Sequence, residues 1–474
     1  MNNLTSQQRK FVYLGAILLL LIPIIALGMP SDGTPNSGGS IARLRQKLDL
    51  GESDLGDLDP SGAAMNLALL GLRGVAANIL WMKVDEQRNQ KDWAELRITT
   101  DSIIRLQPHF EKVWEYNGWN MAYNVSSEWD AVPDRYFWVK EGGKFMQRGV
   151  ERNRRSSYLR WYVGRIYGPK IGLSDEARYF RRYFRQDPDP RFKNGPDPEF
   201  NANDEDNYLV AKRWFQEAND AEANGARQNI MDRSIFRSYP ARSQLDYAAV
   251  LYKYGFNEEY DREVGDRTLT NDEAKALEVR VREKLKEDTR AAWALGLDDW
   301  TRRYGQELFS VEYLPGVIVQ MRLEMSEDEL QNLGKTPEGI AQLRRAVDQY
   351  QKMNNYRYWR TRALCESETN TAEAHWSLFA AGEEYLKQNT AEAQEFAEKS
   401  MELFEKTLEK YPELRDEDNF VEEALKSVLI WNKVLNLRGT KPPETFPLKS
   451  LWDAKQAMVP EIERRFERDS RSKN

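Results

Sequence analysis

The first 60 residues divide into one uncharged apolar run and a polar stretch that follows it. Residues 11–29, FVYLGAILLLLIPIIALGM, carry no charge and, at ~1.5 Å per helical residue, span about 28 Å, close to the hydrocarbon thickness of a bilayer. Arg9 and Lys10 precede this run, whereas the next basic residue after it is Arg43. By the positive-inside rule, the pattern predicts a cytoplasmic N-terminus at 1–10, a single-pass transmembrane anchor at 11–29 and an extracytoplasmic bulk.

A cleaved signal peptide is the alternative interpretation of the same run. Ala26-Leu27-Gly28 forms a small-x-small cleavage site, and Pro23 mildly favours cleavage. The run is longer than a usual signal-peptide core, which favours an anchor that is retained. Residues 30–60 are rich in Gly, Ser, Asp and Pro, which predicts a flexible tether.

From Ala63 onward, apolar positions recur at three-and-four spacing, which is typical of amphipathic helices. A first unit of two helical segments runs from Ala77 to about Phe110, with a turn at 89–92 between the segments. Later units open with EKVWEYNGWNMAY, YLRWYVGRIY and WSLFAAGEEYL. The pattern predicts an all-α fold.

Three of these units place a small residue between large ones at fixed spacing. A small residue on the first helix of a pair lets the second helix approach, and an aromatic residue one turn later fills the groove beside it. The positions are Trp114, Gly118 and Met121; Val163, Gly164 and Tyr167; and Leu378, Ala381, Gly382 and Tyr385. In these positions the chain resembles the tetratricopeptide family, which implies an α-solenoid of helical hairpins with a concave binding surface. Gly118 and Gly164 are 46 rather than 34 residues apart and Met121 replaces the usual Tyr, so a regular peptide groove is in doubt there.

Three longer stretches carry a second resemblance: LRGVAANILWMK at 72–83, RLQPHFEKVWEYNGWNMAYNVSSEWD at 105–130 and NYRYWRTRALCESE at 355–368. They resemble an uncharacterised family of membrane-anchored helical-repeat proteins of planctomycete-type bacteria. That resemblance assigns no functional residue.

Composition shifts divide the body of the chain into blocks. The stretch 187–207, DPDPRFKNGPDPEFNANDEDN, is acidic and interrupted by prolines. We therefore expect an N-terminal helical-repeat block at 61–186, an acidic loop at 187–207, a middle helical block at 208–330, and a C-terminal repeat block with a polar tail at 331–474.

The composition offers little for catalysis or for a resident metal or cofactor. The 474 residues include one cysteine, Cys365, and two histidines, His109 and His375. A lone cysteine cannot form an internal disulfide or a thiolate zinc site, and each histidine is more often a capping or packing residue. No Gly-rich phosphate loop, Gly-x-Ser-x-Gly elbow or His-Glu-x-x-His helix occurs. We expect no enzyme activity, no cofactor and no metal site.

The acidic loop is a candidate calcium site because it contains Asp197, Asn201, Asn203 and Glu205. A calcium-binding loop of this kind needs a glycine at its turn and a Glu at its twelfth position, and the sequence has neither. The favoured interpretation is a solvated loop.

The charges along the chain are segregated. Residues 144–193 contain 14 Lys/Arg and 5 Asp/Glu, whereas 366–424 contain 5 Lys/Arg and 17 Asp/Glu. The basic stretch is rich in arginine, whose fork suits carboxylates and phosphates, and three-and-four spacing places Arg178, Arg181, Arg182 and Arg185 on one helix face. Three interpretations of this basic stretch are compatible with the sequence. It forms an intramolecular or solvated charged face, it binds an acidic protein partner or an anionic lipid surface, or it docks onto the acidic stretch of another copy. Nucleic acid is disfavoured because the net charge is −7.

The alternative function is carbohydrate binding or turnover in the cell envelope. Tryptophans beside paired carboxylates are typical of sites that stack and cleave sugars. The candidates are Glu128, Asp130, Asp134, Asp298 and Asp299, next to Trp129 and Trp300. Such aspartates also serve as helix caps.

Together these patterns predict a membrane-anchored helical-repeat scaffold that binds partner proteins on the extracytoplasmic side of a bacterial membrane. The predicted partner-binding residues are Arg148, Arg152, Arg154, Arg155, Arg178, Arg181, Arg182 and Arg185.

Overall fold

The computed structural model describes residues 73–106, 109–265 and 267–471, together with isolated positions between 10 and 43. Most positions of the predicted tether at 30–60 and 10 of the 19 positions of the predicted anchor at 11–29 lie outside the described residues. In the part of the chain that is described, no helix is long and apolar enough to cross a bilayer.

The described residues are mostly helical, as the apolar spacing predicts. They divide into two compact units: unit 1 comprises the chain up to Ile166 together with 220–227, and unit 2 comprises 167–219 and 228–474. The helices of unit 1 are α1 (Arg73–Asn89), α2 (Trp93–Leu106), α3 (Glu111–Trp119), α4 (Val132–Arg152) and α5 (Ser157–Arg165). Consecutive helices pack against each other.

Unit 2 carries the remaining helices and one strand pair. Its helices up to the strands are α6 (Ile171–Leu173), α7 (Ala177–Arg185), α8 (Asn207–Ala223, whose last turn belongs to unit 1), α9 (Arg233–Val250), α10 (Phe256–Val264) and α11 (Asn271–Asp298). After the strands come α12 (Glu327–Gly334), α13 (Pro337–Met353), α14 (Tyr356–Glu366), α15 (Thr369–Leu386), α16 (Thr390–Lys410), α17 (Asp418–Leu437), α18 (Lys449–Ala454) and α19 (Val459–Arg471). The three helices α15, α16 and α17 pack side by side in sequence order.

The two strands form a departure from a purely helical chain. β1 (Phe309–Leu314) pairs antiparallel with β2 (Val317–Met321), with Phe309 opposite Met321. Pro315-Gly316 connects them, and Gly316 has a φ of +75°. Pro followed by Gly at positive φ is the sequence that a type II turn requires.

Four π-helical segments continue or connect α-helices among the described residues. They are π1 (Asn120–Val125), π2 (Ile166–Lys170), π3 (Leu251–Gly255) and π4 (Asp299–Arg303). Each inserts a wider turn that rotates the side chains after it, and such turns are frequent at functional sites.

Aromatic side chains fill the space between helices, as the sequence predicts for most of them. Trp293, Trp300 and Trp376 are the largest fully buried side chains of unit 2. Unit 1 has a smaller core cluster built on Val84, Leu96, Ile103 and Val113.

The unit boundary falls between Ile166 and Tyr167, upstream of the predicted acidic loop at 187–207. The loop is not merely solvated, because its Phe200 stacks on Tyr167 with ring centroids 4.5 Å apart. Asp197 and Asn201 are buried and hydrogen-bonded inside the loop, and the amide of Asn201 donates to the carbonyl oxygens of Phe184 (3.1 Å) and Glu205 (3.0 Å). The expectation of a solvated loop is therefore corrected, because buried contacts hold the loop against α7 and the start of π2.

Candidate functional site

An exposed cluster of arginines lies where α4 ends and α5 begins in unit 1. Arg148 and Arg152 are one turn apart on α4, and Arg154 and Arg155 follow in the connecting turn. All four side chains are exposed, and Arg154 and Arg155 form no ion pair with any residue that the structure describes. We call Arg148, Arg152, Arg154 and Arg155 the arginine turn.

Local sequence explains this geometry. Gly142, Phe145, Met146 and Gly149 form the buried face of α4, so Arg148 and Arg152 point away from the core. Ser156 caps α5 by accepting a 3.0 Å hydrogen bond from the backbone N–H of Leu159, which ends the turn. Cations are also favourable at the C-terminal end of a helix such as α4.

The other four predicted arginines lie on α7 in unit 2, and they do not form one exposed face. Arg181 is only 3% exposed and lies on the edge of the face buried by Ala177, Phe180 and Phe184. Its guanidinium bonds to Glu258 at 2.7 Å and to Asp206 at 2.6 Å. Arg181 is therefore corrected from a contact residue to a buried structural one.

Two of the remaining α7 arginines also have partners within unit 2. Arg185 pairs with Asp204 at 3.0 Å, and Arg182 pairs with Asp261 at 3.7 Å. Arg178 is half-buried and has an interaction of its own. The α7 group is thus largely an intramolecular charged face, one of the interpretations that the sequence left open.

The residues predicted for carbohydrate chemistry differ in exposure. Trp300 is 1% exposed, and the buried Asp299 pairs with Lys212 at 2.5 Å and with Arg303 at 3.2 Å. Neither side chain can meet a sugar, so these two candidates are wrong. In unit 1, Trp129 is exposed and Glu128 pairs with Lys91 at 2.8 Å.

Unit 1 also contains an aromatic cleft of about 230 Å³ that the sequence did not predict. Its lining residues are Trp119, Tyr123, Met146, Trp161, Tyr162, Arg165 and Ile166. Trp119, which is 42% exposed, stacks on Tyr123 with ring centroids 5.2 Å apart, and the Arg165 guanidinium lies 5.5 Å from the Trp161 ring centroid. Glu128, Asp130 and Asp134 are all described and are not among the lining residues, so the predicted carboxylates of unit 1 do not meet at this cleft.

A buried ion network lies among α14, α15 and α17 in unit 2. It consists of Arg362 and Glu366 on α14, His375 on α15 and Glu423 on α17, and we call these four residues the histidine network. His375 Nε2 is 3.0 Å from Glu366 Oε2, and His375 Nδ1 is 3.8 Å from Glu423 Oε2. Arg362 Nη2 lies 3.3 Å from Glu366 Oε1 and 3.0 Å from Glu423 Oε2.

Electrostatics favour the charged forms in this network. Burial alone would lower the pKa of His375, but the carboxylates of Glu366 and Glu423 outweigh it and raise that pKa above 6.5. Burial would likewise raise the pKa of Glu366, yet His375 and Arg362 hold it below its ordinary value. Burial raises the pKa of the adjacent Cys365 thiol well above its usual range, so this cysteine is a buried thiol rather than a nucleophile.

A metal ion is one group that such a donor set could hold. One ligand atom each from Glu366, His375 and Glu423 lies within 4.8 Å of the others. However, the two ring nitrogens face different carboxylates, and the permanent cation Arg362 contacts both of those carboxylates. The contacts fit a closed network of side-chain cations and anions better than a metal centre.

Sequence reasoning missed this network. Arg362 and Glu366 have the i,i+4 spacing of an ordinary surface pair, and Glu423 lies far along the chain. His375 was expected to cap or pack at a helix start, whereas it lies in the second turn of α15 between two carboxylates. Only the packing of three helices brings these residues together.

Comparison with known protein families, with characterised proteins and with solved structures found no match to this chain.

Proposed function

We propose that the protein is a helical-repeat scaffold that binds an acidic partner protein through the arginine turn of unit 1. The observation that carries the proposal is the exposure of Arg154 and Arg155 without an ion-pair partner among the described residues. Guanidinium groups bind carboxylates through paired hydrogen bonds. Arginines grouped on one turn therefore favour a partner with clustered Asp or Glu side chains.

The packing of unit 1 supports a scaffold of stacked helical hairpins. A Cβ atom on Gly142 of α4 would lie 2.6 Å from the carbonyl oxygen of Gly118 on α3, so the two backbones touch. Close approach of this kind is what tetratricopeptide-like hairpins need to stack. We place this scaffold on the extracytoplasmic side of a bacterial membrane, held by residues 11–29, with a binding rather than a catalytic role.

Binding to another copy through the acidic stretch at 366–424 is less favoured. Many of its carboxylates already have cationic neighbours, including Glu368 with Lys410 at 2.6 Å and Glu373 with Lys399 at 2.6 Å. Glu423 is held in the same way by Arg362. Paired carboxylates would have to give up these contacts to bind a second arginine cluster, so a separate acidic partner fits better.

Charge reversal tests the proposal. The variant changes Arg148, Arg152, Arg154 and Arg155 of the full-length protein to Glu. After mild crosslinking in its own cells, the amount of partner recovered with this variant should be at least tenfold lower than with wild type. Each reversed contact replaces attraction with repulsion at an interface. Recovery is quantified by mass spectrometry of the purified complexes.

A charge-matched control distinguishes the effect of losing the arginine turn from the effect of changing the net charge of the protein. Arg97, Lys275, Arg345 and Lys406 are exposed and lie outside the arginine turn, and changing all four to Glu alters the net charge equally. This control should keep the partner. Equal recovery from both variants, with circular dichroism and unfolding midpoints like wild type, would rule out the arginine turn as the binding site.

A further inference from the structure

His375 occupies a position that suits a doubly protonated imidazole ring. Its Nε2 atom is 3.0 Å from Glu366 Oε2, and its Nδ1 atom lies 3.8 Å from Glu423 Oε2 on the opposite side. A neutral imidazole carries one N–H and one lone pair. In the neutral form, one of the two carboxylates would therefore face a lone pair.

The side chains around the His375 ring come from α14, α16, α17 and π3. From α14 come Arg362, Glu366 and Cys365, and from α17 comes Glu423. The ring of Tyr252, on π3, stacks on His375 with centroids 4.2 Å apart, and Phe404 of α16 meets it edge-on at 5.0 Å. The ionisable groups around His375 are thus the two carboxylates, the Arg362 guanidinium and the Tyr252 phenol, and the Cys365 thiol lies beside Glu366.

The charge balance of this buried set requires a second cation. Arg362 supplies one positive charge, whereas Glu366 and Glu423 supply two negative charges. Glu366 is fully buried, and an unbalanced buried carboxylate is strongly destabilising. The phenol of Tyr252 and the thiol of Cys365 are neutral, because burial raises the pKa of each well above its ordinary value. A proton on His375 neutralises the set while Glu366, whose pKa is lowered by His375 and Arg362, keeps its charge.

We propose that His375 is an imidazolium in the folded chain and forms a pH-sensitive tie that joins α14, α15 and α17 and is released as the pH rises. Its release begins at Glu423, which is the partly exposed member and the one that water can solvate when the ring loses its proton. The proposal does not depend on the scaffold function.

The direction of the pH effect follows from linkage. The folded chain holds the His375 proton more tightly than the unfolded chain, in which the pKa is near 6.5. The stabilisation is therefore complete below about pH 6.5 and is lost as the pH rises through the folded-state pKa. Over that interval the folding equilibrium constant falls by up to about tenfold per pH unit.

The test compares unfolding midpoints of the full chain between pH 6 and pH 9. The two histidines provide a matched pair, since His109 is exposed and lies outside the network. The unfolding midpoints of wild type and of His109→Gln should fall with rising pH, whereas that of His375→Gln should be lower at pH 6 and should converge toward wild type as the pH rises. Parallel curves for wild type and His375→Gln would overturn the proposal.

A titration of wild type gives an answer even if His375→Gln does not fold. With isotope-labelled histidine the chain has only two imidazole signals, and His109→Gln assigns them. The midpoint of the His375 titration should lie above about pH 6.5 and should shift downward in Glu423→Gln. A His375 signal that titrates at or below about pH 6.5, or whose midpoint is unchanged in Glu423→Gln, would overturn the proposal.

Discussion

At the residue scale, arginines of similar sequence context have opposite environments. Arg154 is exposed, whereas Arg181 is buried between Asp206 and Glu258. Burial alone would lower the pKa of Arg181, but the two carboxylates outweigh it and raise that pKa. The helical spacing predicted from the sequence was correct for α7, but it could not show that residues 25 and 77 positions away supply the partners.

The buried arginine should matter far more for stability than its exposed neighbour. Arg181→Ala leaves Asp206 and Glu258 without their buried cation and should lower the free energy of unfolding by about 3–5 kcal/mol. Arg182→Ala, one position along on the exposed side, should cost at most about 0.5 kcal/mol. Urea unfolding of both variants measures the difference.

A compensating variant checks the cause. Arg181→Met combined with Asp206→Asn and Glu258→Gln removes all three charges together and should recover much of the lost stability, because no buried charge is left unpaired. If the triple variant is as unstable as Arg181→Ala, unpaired buried charges are not the cause of the lost stability.

At the element scale, the sequence predicted the helices well and their crossings only in part. It identified Gly118 as a small residue at a helix contact, and a Cβ atom there would meet Met146 at 2.4–3.0 Å. It did not identify Gly142, which faces Gly118 across the same crossing. At Gly382 the expected close contact is absent, because a Cβ atom would come no nearer than 3.8 Å to Ile430. Spacing alone cannot show which small residue lies at a crossing point.

Two glycine substitutions should therefore change the free energy of unfolding in opposite directions. Gly142→Ala places a methyl group against the backbone of α3 and should lower the free energy of unfolding by about 1–3 kcal/mol. Gly382→Ala has room for the methyl group in the middle of α15 and should raise it by about 0.4–1 kcal/mol. Thermal unfolding monitored by circular dichroism measures both. Two shifts of the same sign would contradict the packing described for these crossings.

The π segments were beyond prediction for a physical reason. A single inserted residue barely changes the apolar spacing of a helix, yet it redirects the side chains that follow it. Tyr252 reaches His375 from π3, and Tyr123 of π1 and Ile166 of π2 line the aromatic cleft. In contrast, the turn between β1 and β2 depends only on the adjacent residues Pro315 and Gly316, so the sequence alone contains the information that specifies it.

At the scale of the whole molecule, the basic stretch of the sequence contains both exposed arginines and arginines that are already ion-paired. The basic stretch at 144–193 crosses the boundary between the two units, so its arginines are divided between an exposed turn in unit 1 and paired positions in unit 2. Net charge along a sequence cannot distinguish them. The proposed partner-binding surface is therefore limited to Arg148, Arg152, Arg154 and Arg155.

The most direct test of this proposal is site-specific photo-crosslinking of the protein in its own cells. A photoreactive residue replaces Glu151, which is exposed beside the arginine turn, and a second variant carries it at the exposed Lys441 as a control. The account predicts that one acidic protein is crosslinked repeatedly from position 151 and not from position 441. Crosslinks from position 151 only to other copies of this chain, or none at comparable expression, would contradict it.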